Sequence, residues 1–236
     1  MSKLTPKQRV AGVLGGMGPE ATVEFMARVL ALTPAEVDQD HVHLIVDQNP
    51  NVPSRHEALF NDGQDPGPTL AAMARRLEAA GADFLVIPCN TVFAFADAVR
   101  TAVDIPLVSI VGVTLNACEA EPIGVMATEA CIHAGVYQRV ATARNIELIL
   151  PSESELATFM QLLAAIKRGD KGDVVCRDMA SLAGGLVRRG AKTVVMGCTE
   201  IPLVLSQDQV DVLLVSSTDA LAAETVRIAH GKDIHK

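Results

Sequence analysis

The chain has 236 residues, 49% of them hydrophobic, and a formal net charge of −8 at pH 7. This length allows one large α/β domain or two of roughly 100–120 residues, and the interspersed charges are typical of an ordered soluble protein. The acidic balance and the near absence of stacking aromatics (one Tyr, no Trp) argue against a nucleic-acid partner, and the lack of an apolar run of about 18 residues argues against a membrane span.

The start of the chain meets the first apolar run directly. Residues 1–9 contain no hydrophobic region and no cleavage site of a signal peptide, so we expect a cytoplasmic protein. Five widely spaced cysteines favour free thiols over a disulfide framework. Because neither a C-x-x-C pair nor an H-E-x-x-H pattern is present, the sequence predicts no metal site.

Short apolar strands alternate with helical patterns along the whole chain. The predicted strands are Val10–Leu14, Val42–Asp47, Phe84–Ile87, Leu107–Ile110, Ile123–Ala127, Glu147–Leu150, Thr193–Met196 and Val212–Val215. The predicted helices are Glu20–Leu32, Thr69–Ala80, Val92–Val103, Val111–Glu119, Ala130–Asn145, Ser154–Lys167, Arg177–Arg189 and Thr218–His230. This alternation indicates parallel βαβ units whose sheets are covered on both faces.

The second half of the chain repeats the plan of the first. Gly12-Val13-Leu14-Gly15 opens one half and Gly124-Val125-Met126-Ala127 opens the other. We therefore expect an α/β protein of two similar doubly wound parallel-sheet domains (αβα sandwiches) related by a pseudo-twofold axis, with the active site in the cleft between them. The expected domains are residues 1–117 and 118–216, with the C-terminal helix in 217–236 packing back on the first.

Two cysteines occupy matching places in this repeat. Cys89 and Cys198 each follow a Gly-Ala pair and a short apolar strand, and polar residues come directly after both. A thiol between a strand end and a helix start is expected to have its pKa lowered from about 8.5 toward neutrality. One thiolate could then act as a general base and the opposite thiol as a general acid.

The other three cysteines lie in predicted helical stretches. Cys118, Cys131 and Cys176 are therefore interpreted as small buried packing residues.

A glycine-rich turn joins the first strand to the first helix. Pro19 suits the first helical position, and the loop amides could receive an anion. Gly16, Gly18 and Ala21 also form G-x-G-x-x-A, with Asp47 at the end of the next strand. That pattern partly matches a dinucleotide fingerprint, so a dinucleotide-binding enzyme stays an alternative.

Further polar candidates lie outside these motifs. Arg55 ends a polar loop that begins after the second strand, where it could grip a carboxylate in bidentate fashion or simply be a surface arginine. Lys167 ends a predicted helix, a place where lysine commonly faces the helix dipole in water. Thr128 follows the first strand of the second half, as Gly16 follows that of the first.

Three segments together resemble a known family. Gly15–Thr22, Pro88–Thr91 and Gly197–Glu200 resemble the aspartate/glutamate racemases, most closely their aspartate racemase branch, and the resemblance extends from about Val10 to Ala229. It implies an isomerase that interconverts L- and D-aspartate, or L- and D-glutamate, without a cofactor. One cysteine would remove the α-proton as thiolate, and the other would reprotonate the opposite face.

The resemblance also implies roles for individual residues and a homodimer. The acid–base pair would be Cys89 and Cys198. Met17 and Thr128 would line the pocket, and Gln48, after the second strand, would also bind the substrate. Asn90, Thr91 and Thr199 would hold the α-carboxylate and amino group, and Glu200 would contact the amino group or the neighbouring thiol. The side-chain carboxylate would be bound by Arg55 and Lys167. Met126-Ala127-Thr128 departs from the Gly-Thr often present in the family.

Other proton transfers beside a carboxylate use the same scaffold. Hydantoin racemisation, cis–trans isomerisation and single-thiol decarboxylation stay open as alternatives, although the second cysteine argues against the last. A non-enzymatic two-lobed protein that closes on a dicarboxylate is a further hypothesis, and it predicts binding without exchange of the α-hydrogen.

Overall fold

A computed structural model describes residues 8–234. Within it the chain forms two compact units: the first comprises the described residues up to Val113 and those from Thr218 onward, and the second is Thr114–Ser217. The expectation of no secretory signal rests mainly on residues 1–7, which lie outside the described residues, as do the last two residues of the segment 217–236.

The first unit contains a parallel sheet of three strands, β1 (Ala11–Gly15), β2 (Leu44–Gln48) and β3 (Phe84–Val86), in the order β2-β1-β3. The central strand β1 is buried throughout, which its lack of polar side chains permits. Gly15 pairs with Gln48, so the carboxyl ends of neighbouring strands reach the same edge.

The second unit contains a parallel sheet of four strands, β4 (Ile123–Met126), β5 (Leu148–Ile149), β6 (Thr193–Met196) and β7 (Leu213–Ser216), in the order β5-β4-β6-β7. Its first strand in sequence is again central, and Met126 pairs with Met196 at the carboxyl edge. The predicted α/β class with two parallel sheets is confirmed.

Helices flank both sheets and begin at recognisable signals. Pro19 occupies the start of the first helix, and Ser152 forms a capping box with Glu155 before the eighth. In chain order the α-helices of the described residues are α1 (Pro19–Leu32), α2 (Arg55–Phe60), α3 (Gly67–Ala79), α4 (Ala96–Arg100), α5 (Ile110–Asn116), α6 (Glu129–His133), α7 (Val136–Ala143), α8 (Glu153–Lys167), α9 (Asp173–Arg188) and α10 (Ser217–Ala229).

Three predicted elements differ most from the structure. The strand predicted at Leu107–Ile110 is wrong, because Leu107 forms only an isolated parallel bridge with Leu85 and α5 begins at Ile110. The helix predicted over Val92–Val103 begins as a 3₁₀ helix, Thr91–Phe95, before α4. The helix predicted over Ala130–Asn145 is split into α6 and α7 at Gly135, whose φ of 63° interrupts a right-handed helix.

The last helix belongs to the first unit. Arg28 of α1 forms a bidentate ion pair with Asp219 of α10 at 2.6 Å, and the Arg9 amide donates to the Ala229 carbonyl at 2.9 Å.

In the part of the chain from residue 8 to 234, no helix is both long and apolar enough to cross a bilayer.

Candidate active site

The glycine-rich turn after β1 is stabilised by the side chain of Thr22. Thr22 is fully buried, and its hydroxyl accepts a hydrogen bond from the Gly16 amide at 2.9 Å. Gly16 has a φ of 93°, and a Cβ there would lie 2.3 Å from the Asn49 carbonyl oxygen. Because the Gly16 amide already donates a hydrogen bond to Thr22, it is not available to bind a pyrophosphate. Met17, next in the turn, is buried.

The end of β2 carries Asp47 and Gln48. Asp47 forms an ion pair with Arg76 of α3, in which Nη2 and Oδ2 are 2.6 Å apart. A dinucleotide-binding site would need this carboxylate for a ribose, so the ion pair further weakens that alternative. Gln48 is exposed at the carboxyl edge, across from Gly15 of β1.

Arg55 lies at the start of a short helix in the segment interpreted as a loop. Ser54 caps this helix, α2, by accepting a hydrogen bond from the Glu57 amide. The guanidinium of Arg55 is partly buried and donates from Nη1 to the carbonyls of Val52 at 3.4 Å and Pro53 at 3.2 Å. These bonds hold the side chain near its own loop.

Cys89 follows β3 in a tight turn. Its amide donates to the Ile87 carbonyl at 2.8 Å, and the side chain is partly buried. Asn90 is 4% exposed and precedes the 3₁₀ helix that begins at Thr91. The helix after Cys89 is thus initially a 3₁₀ helix rather than the regular α-helix that the dipole argument assumed.

Cys198 follows β6 and is buried. Its thiol donates a hydrogen bond to Glu200 Oε2 at 2.9 Å, and the Thr199 hydroxyl donates to the same oxygen at 3.1 Å. The other oxygen of Glu200, Oε1, is 3.4 Å from Lys167 Nζ at the end of α8. The second unit therefore brings together four of the residues expected at the site, including one from a distant helix.

The predicted lowering of the thiol pKa is wrong for Cys198. Burial and the adjacent Glu200 carboxylate raise the pKa of this thiol well above its ordinary value. The 3₁₀ helix that follows, Ile201–Leu203, is only three residues long and has little dipole to oppose these effects. The Cys198 thiol is accordingly protonated at neutral pH.

The pKa of Glu200 moves the other way. Burial alone would raise the pKa of this carboxyl, but the hydrogen bond from Cys198, the charge of Lys167 and the hydroxyl of Thr199 outweigh burial and lower it. Glu200 is therefore ionised at neutral pH and accepts hydrogen bonds on its carboxylate.

Thr128 lies beside this cluster at the strand edge. It follows β4, which pairs with β6, and its hydroxyl caps α6 by accepting a hydrogen bond from the Cys131 amide at 3.2 Å. The Thr128 hydroxyl therefore has a structural role as a helix cap, in addition to the position in the pocket that was predicted for this residue.

Two residues that support the Cys198 turn, Tyr137 and Ser217, were not predicted to do so. The Ser217 hydroxyl donates to the Met196 carbonyl at 3.0 Å, at the last residue of β6. The fully buried ring of Tyr137 lies against Gly197, where an added Cβ would be 3.3 Å from Cε2. A serine directly after β7 and the chain's single tyrosine were the available signals.

The remaining cysteines differ in their surroundings. Cys131 is fully buried in α6, and Cys176 is partly buried in α9. Cys118 comes after the end of α5 rather than in a helix, donates to the Thr114 carbonyl at 3.3 Å, and has its pKa raised to about 12 by burial and by Glu121.

Over residues 8–234, no group of three or more His, Cys, Asp or Glu is arranged to hold a metal ion.

The fold has clear counterparts among known proteins. Residues 14–225 match the family model described as Asp/Glu/Hydantoin racemase, and the chain belongs to this family. The resemblance seen in the motifs is thereby confirmed.

Individual relatives extend over nearly the whole chain. The chain is 27% identical over 221 residues to the broad specificity amino-acid racemase RacX of Bacillus subtilis (strain 168), covering 91% of this chain and 96% of the relative. The aspartate racemase of Picrophilus torridus has a TM-score of 0.82 with 24% identity and 96% of each chain covered. An aspartate racemase homologue from Pyrococcus horikoshii OT3 has a TM-score of 0.76 with 21% identity, covering 94% of this chain and 99% of that one. The two structural likenesses show a shared fold.

Proposed function

We propose that the chain is a cofactor-independent amino-acid racemase that interconverts the enantiomers of aspartate or glutamate, with Cys89 and Cys198 as its acid–base pair. The observation that carries the proposal is the hydrogen bond from the Cys198 thiol to the ionised Glu200 carboxylate. It holds a buried, protonated thiol at the carboxyl edge of a sheet in a chain that belongs to a racemase family.

The proposed reaction is two coupled proton transfers. A Cys89 thiolate takes the α-proton, the electron pair of the broken C–H bond stays on Cα, and the Cys198 S–H proton is delivered to the opposite face. The products are the other enantiomer, a Cys89 thiol and a Cys198 thiolate, so the total number of protons is unchanged. The reverse reaction exchanges the two roles.

The weak acidity of the α-proton sets the main requirement on the site. Developing charge on the substrate must be met by oriented donors away from bulk water. We assign Asn90, Thr91 and Thr199 to the α-carboxylate and amino group, and Met17 and Thr128 to the pocket wall. The buried state of Asn90 and Met17 supports this assignment.

The side-chain carboxylate of the substrate needs a cation. We assign it to Arg55, whose planar guanidinium suits a carboxylate, with Gln48 as a neutral donor. The ligand role that the resemblance implies for Lys167 stays a prediction.

The test uses wild type, Cys89→Ala, Cys198→Ala and, as a matched control, Cys118→Ala. Each protein is incubated in D₂O with L- and D-aspartate and L- and D-glutamate without added cofactor, and enantiomers and α-deuterium are measured by chiral chromatography and mass spectrometry. Wild type and Cys118→Ala should racemise one of these amino acids, and the other two variants should not. Racemisation at wild-type rates by both site variants would overturn the two-base mechanism, and binding without exchange would indicate the dicarboxylate-binding alternative.

A further inference from the structure

Lys167 and Cys198 contact opposite oxygens of one carboxylate. Lys167 Nζ is 3.4 Å from Glu200 Oε1, while Glu200 Oε2 accepts the hydrogen bond of the Cys198 thiol at 2.9 Å. The lysine is the last residue of α8, and the other two follow β6. The fold thus links an ammonium group to the thiol through Glu200.

The partners of this ion pair differ in their exposure to water. The Glu200 side chain is 17% exposed and that of Lys167 is 61% exposed. An exposed pair contributes little to stability, but a carboxylate largely removed from water needs charged or polar partners to stay ionised. We therefore expect the Lys167–Glu200 ion pair to affect the ionisation of Glu200 and of the adjacent Cys198 thiol rather than the stability of the protein.

Proton donation by Cys198 would change the charge of this cluster. The resulting thiolate would stand beside the Glu200 carboxylate, and the Lys167 ammonium is the cation adjacent to that carboxylate. Tyr137 also interacts electrostatically with this thiol, and it stays neutral because burial raises its pKa well above the ordinary value. Lys167 is thus placed to offset the charge that Cys198 acquires.

We propose that Lys167 is a positioning residue that acts on Cys198 through Glu200: it keeps the carboxylate ionised and turned toward the thiol, and it offsets the carboxylate when the thiol loses its proton. This inference rests on the proposed function for its role in the reaction. It differs from the role implied by the resemblance, in which the ammonium binds the substrate's side-chain carboxylate directly.

The two roles are separated by a measurement made without substrate. Alkylation of Cys198 by iodoacetamide is followed between pH 8 and 9.5 by mass spectrometry of the peptide that contains it, since only the thiolate reacts. The variants are Lys167→Met, Lys167→Arg, Glu200→Gln and the double variant Lys167→Met with Glu200→Gln. Arg168→Met, which removes the neighbouring exposed cation, is the matched control.

We expect Lys167→Met to slow alkylation of Cys198 by roughly threefold to tenfold, because the carboxylate then opposes the thiolate without an offsetting charge. Lys167→Arg and Arg168→Met should stay within about twofold of wild type, because each retains a cation at position 167. In the Glu200→Gln background, loss of the lysine should have a much smaller effect. An unchanged rate in Lys167→Met, or equal slowing with and without Glu200, would overturn the inference.

Kinetics provide the second readout. Lys167→Met should lower kcat for the racemised amino acid with KM within about twofold of wild type. In the direction in which the Cys198 thiolate removes the α-proton, it should also move the acid limb of the kcat profile upward by roughly half to one pH unit. A large rise in KM with unchanged alkylation would assign the lysine to the substrate instead. If no amino acid is racemised, the proposed function fails by itself, while the alkylation measurement still decides the link to Cys198.

Discussion

The Cys198 thiol donates a 2.9 Å hydrogen bond to the carboxylate of Glu200, two residues further along the chain. Glu200 also contacts Lys167 and Thr199, so it joins both of these residues to the thiol. Thiolate formation at Cys198 is opposed by both burial and this negative charge.

Glu200→Gln should therefore lower the pKa of Cys198, since the amide is uncharged. Alkylation of Cys198 at pH 8 should become faster, on the order of tenfold for each unit by which the pKa falls. Glu153→Gln, an exposed change in the first turn of α8, is the control and should leave the rate unchanged. A slower reaction in Glu200→Gln would show that the carboxylate does not oppose the thiolate.

Arg55→Ala should weaken the preference for acidic over neutral amino acids. If the guanidinium binds the side-chain carboxylate, kcat/KM for the acidic substrate should fall by about 10- to 100-fold, the usual range for a lost charged hydrogen bond. Arg55→Lys keeps the charge without the planar fork and should recover only part of this loss. Arg75→Ala, at an exposed arginine of α3, is the control, and unchanged selectivity in Arg55→Ala would remove Arg55 from the site.

Stability should fall with alkaline pH, and Cys118 should contribute. Its folded pKa of about 12 is above the unfolded value of about 8.5, so the contribution is fully present below pH 8.5 and is lost toward pH 12. In this window the unfolded chain releases a proton that the folded chain retains. Urea unfolding at pH 7, 8.5 and 10 should show a shallower decline for Cys118→Ala than for wild type. Identical slopes would contradict the raised pKa.

Gly197→Ala should destabilise the turn that carries Cys198. The added Cβ would lie 3.0 Å from the Met126 carbonyl oxygen and 3.2 Å from Ala127 Cβ, so the cost should be about 1–3 kcal/mol. Gly184→Ala, inside α9, adds a Cβ whose nearest neighbour is the flexible end of Arg188 at 3.2 Å. Thermal unfolding should show a lower Tm for Gly197→Ala, and an unchanged or higher Tm for Gly184→Ala. Equal Tm values would contradict the crowding argument.

Much of the fold could be predicted because its signals are local. The strands β1 and β4 are apolar from end to end, and β6 is apolar after Thr193, which identifies buried parallel strands. The run at Leu107–Ile110 is also apolar except for Ser109, yet only Leu107 pairs with a strand. The six-residue helix α2 was missed because so short an element leaves almost no periodic pattern.

Of the candidate site, too, only part could be predicted from the sequence. Cys198, Thr199 and Glu200 are contiguous, so their motif was visible in the sequence. The end of this helix at Lys167 was predicted, but the contact of Lys167 with Glu200 depends on how the folded chain brings the end of α8 to the turn after β6, which no local pattern specifies. The direction of the Cys198 pKa shift depends on burial and on side-chain orientation, and both arise only when the chain has folded.

The ion pair between Arg28 and Asp219 joins residues 191 positions apart within the first unit. A ribosome must therefore synthesise the whole second unit, Thr114–Ser217, before the partner of Arg28 exists. Since a domain folds as a unit during synthesis, the second unit can complete its structure while the first still lacks α10. The first unit therefore receives its last helix only after the whole second unit has been synthesised.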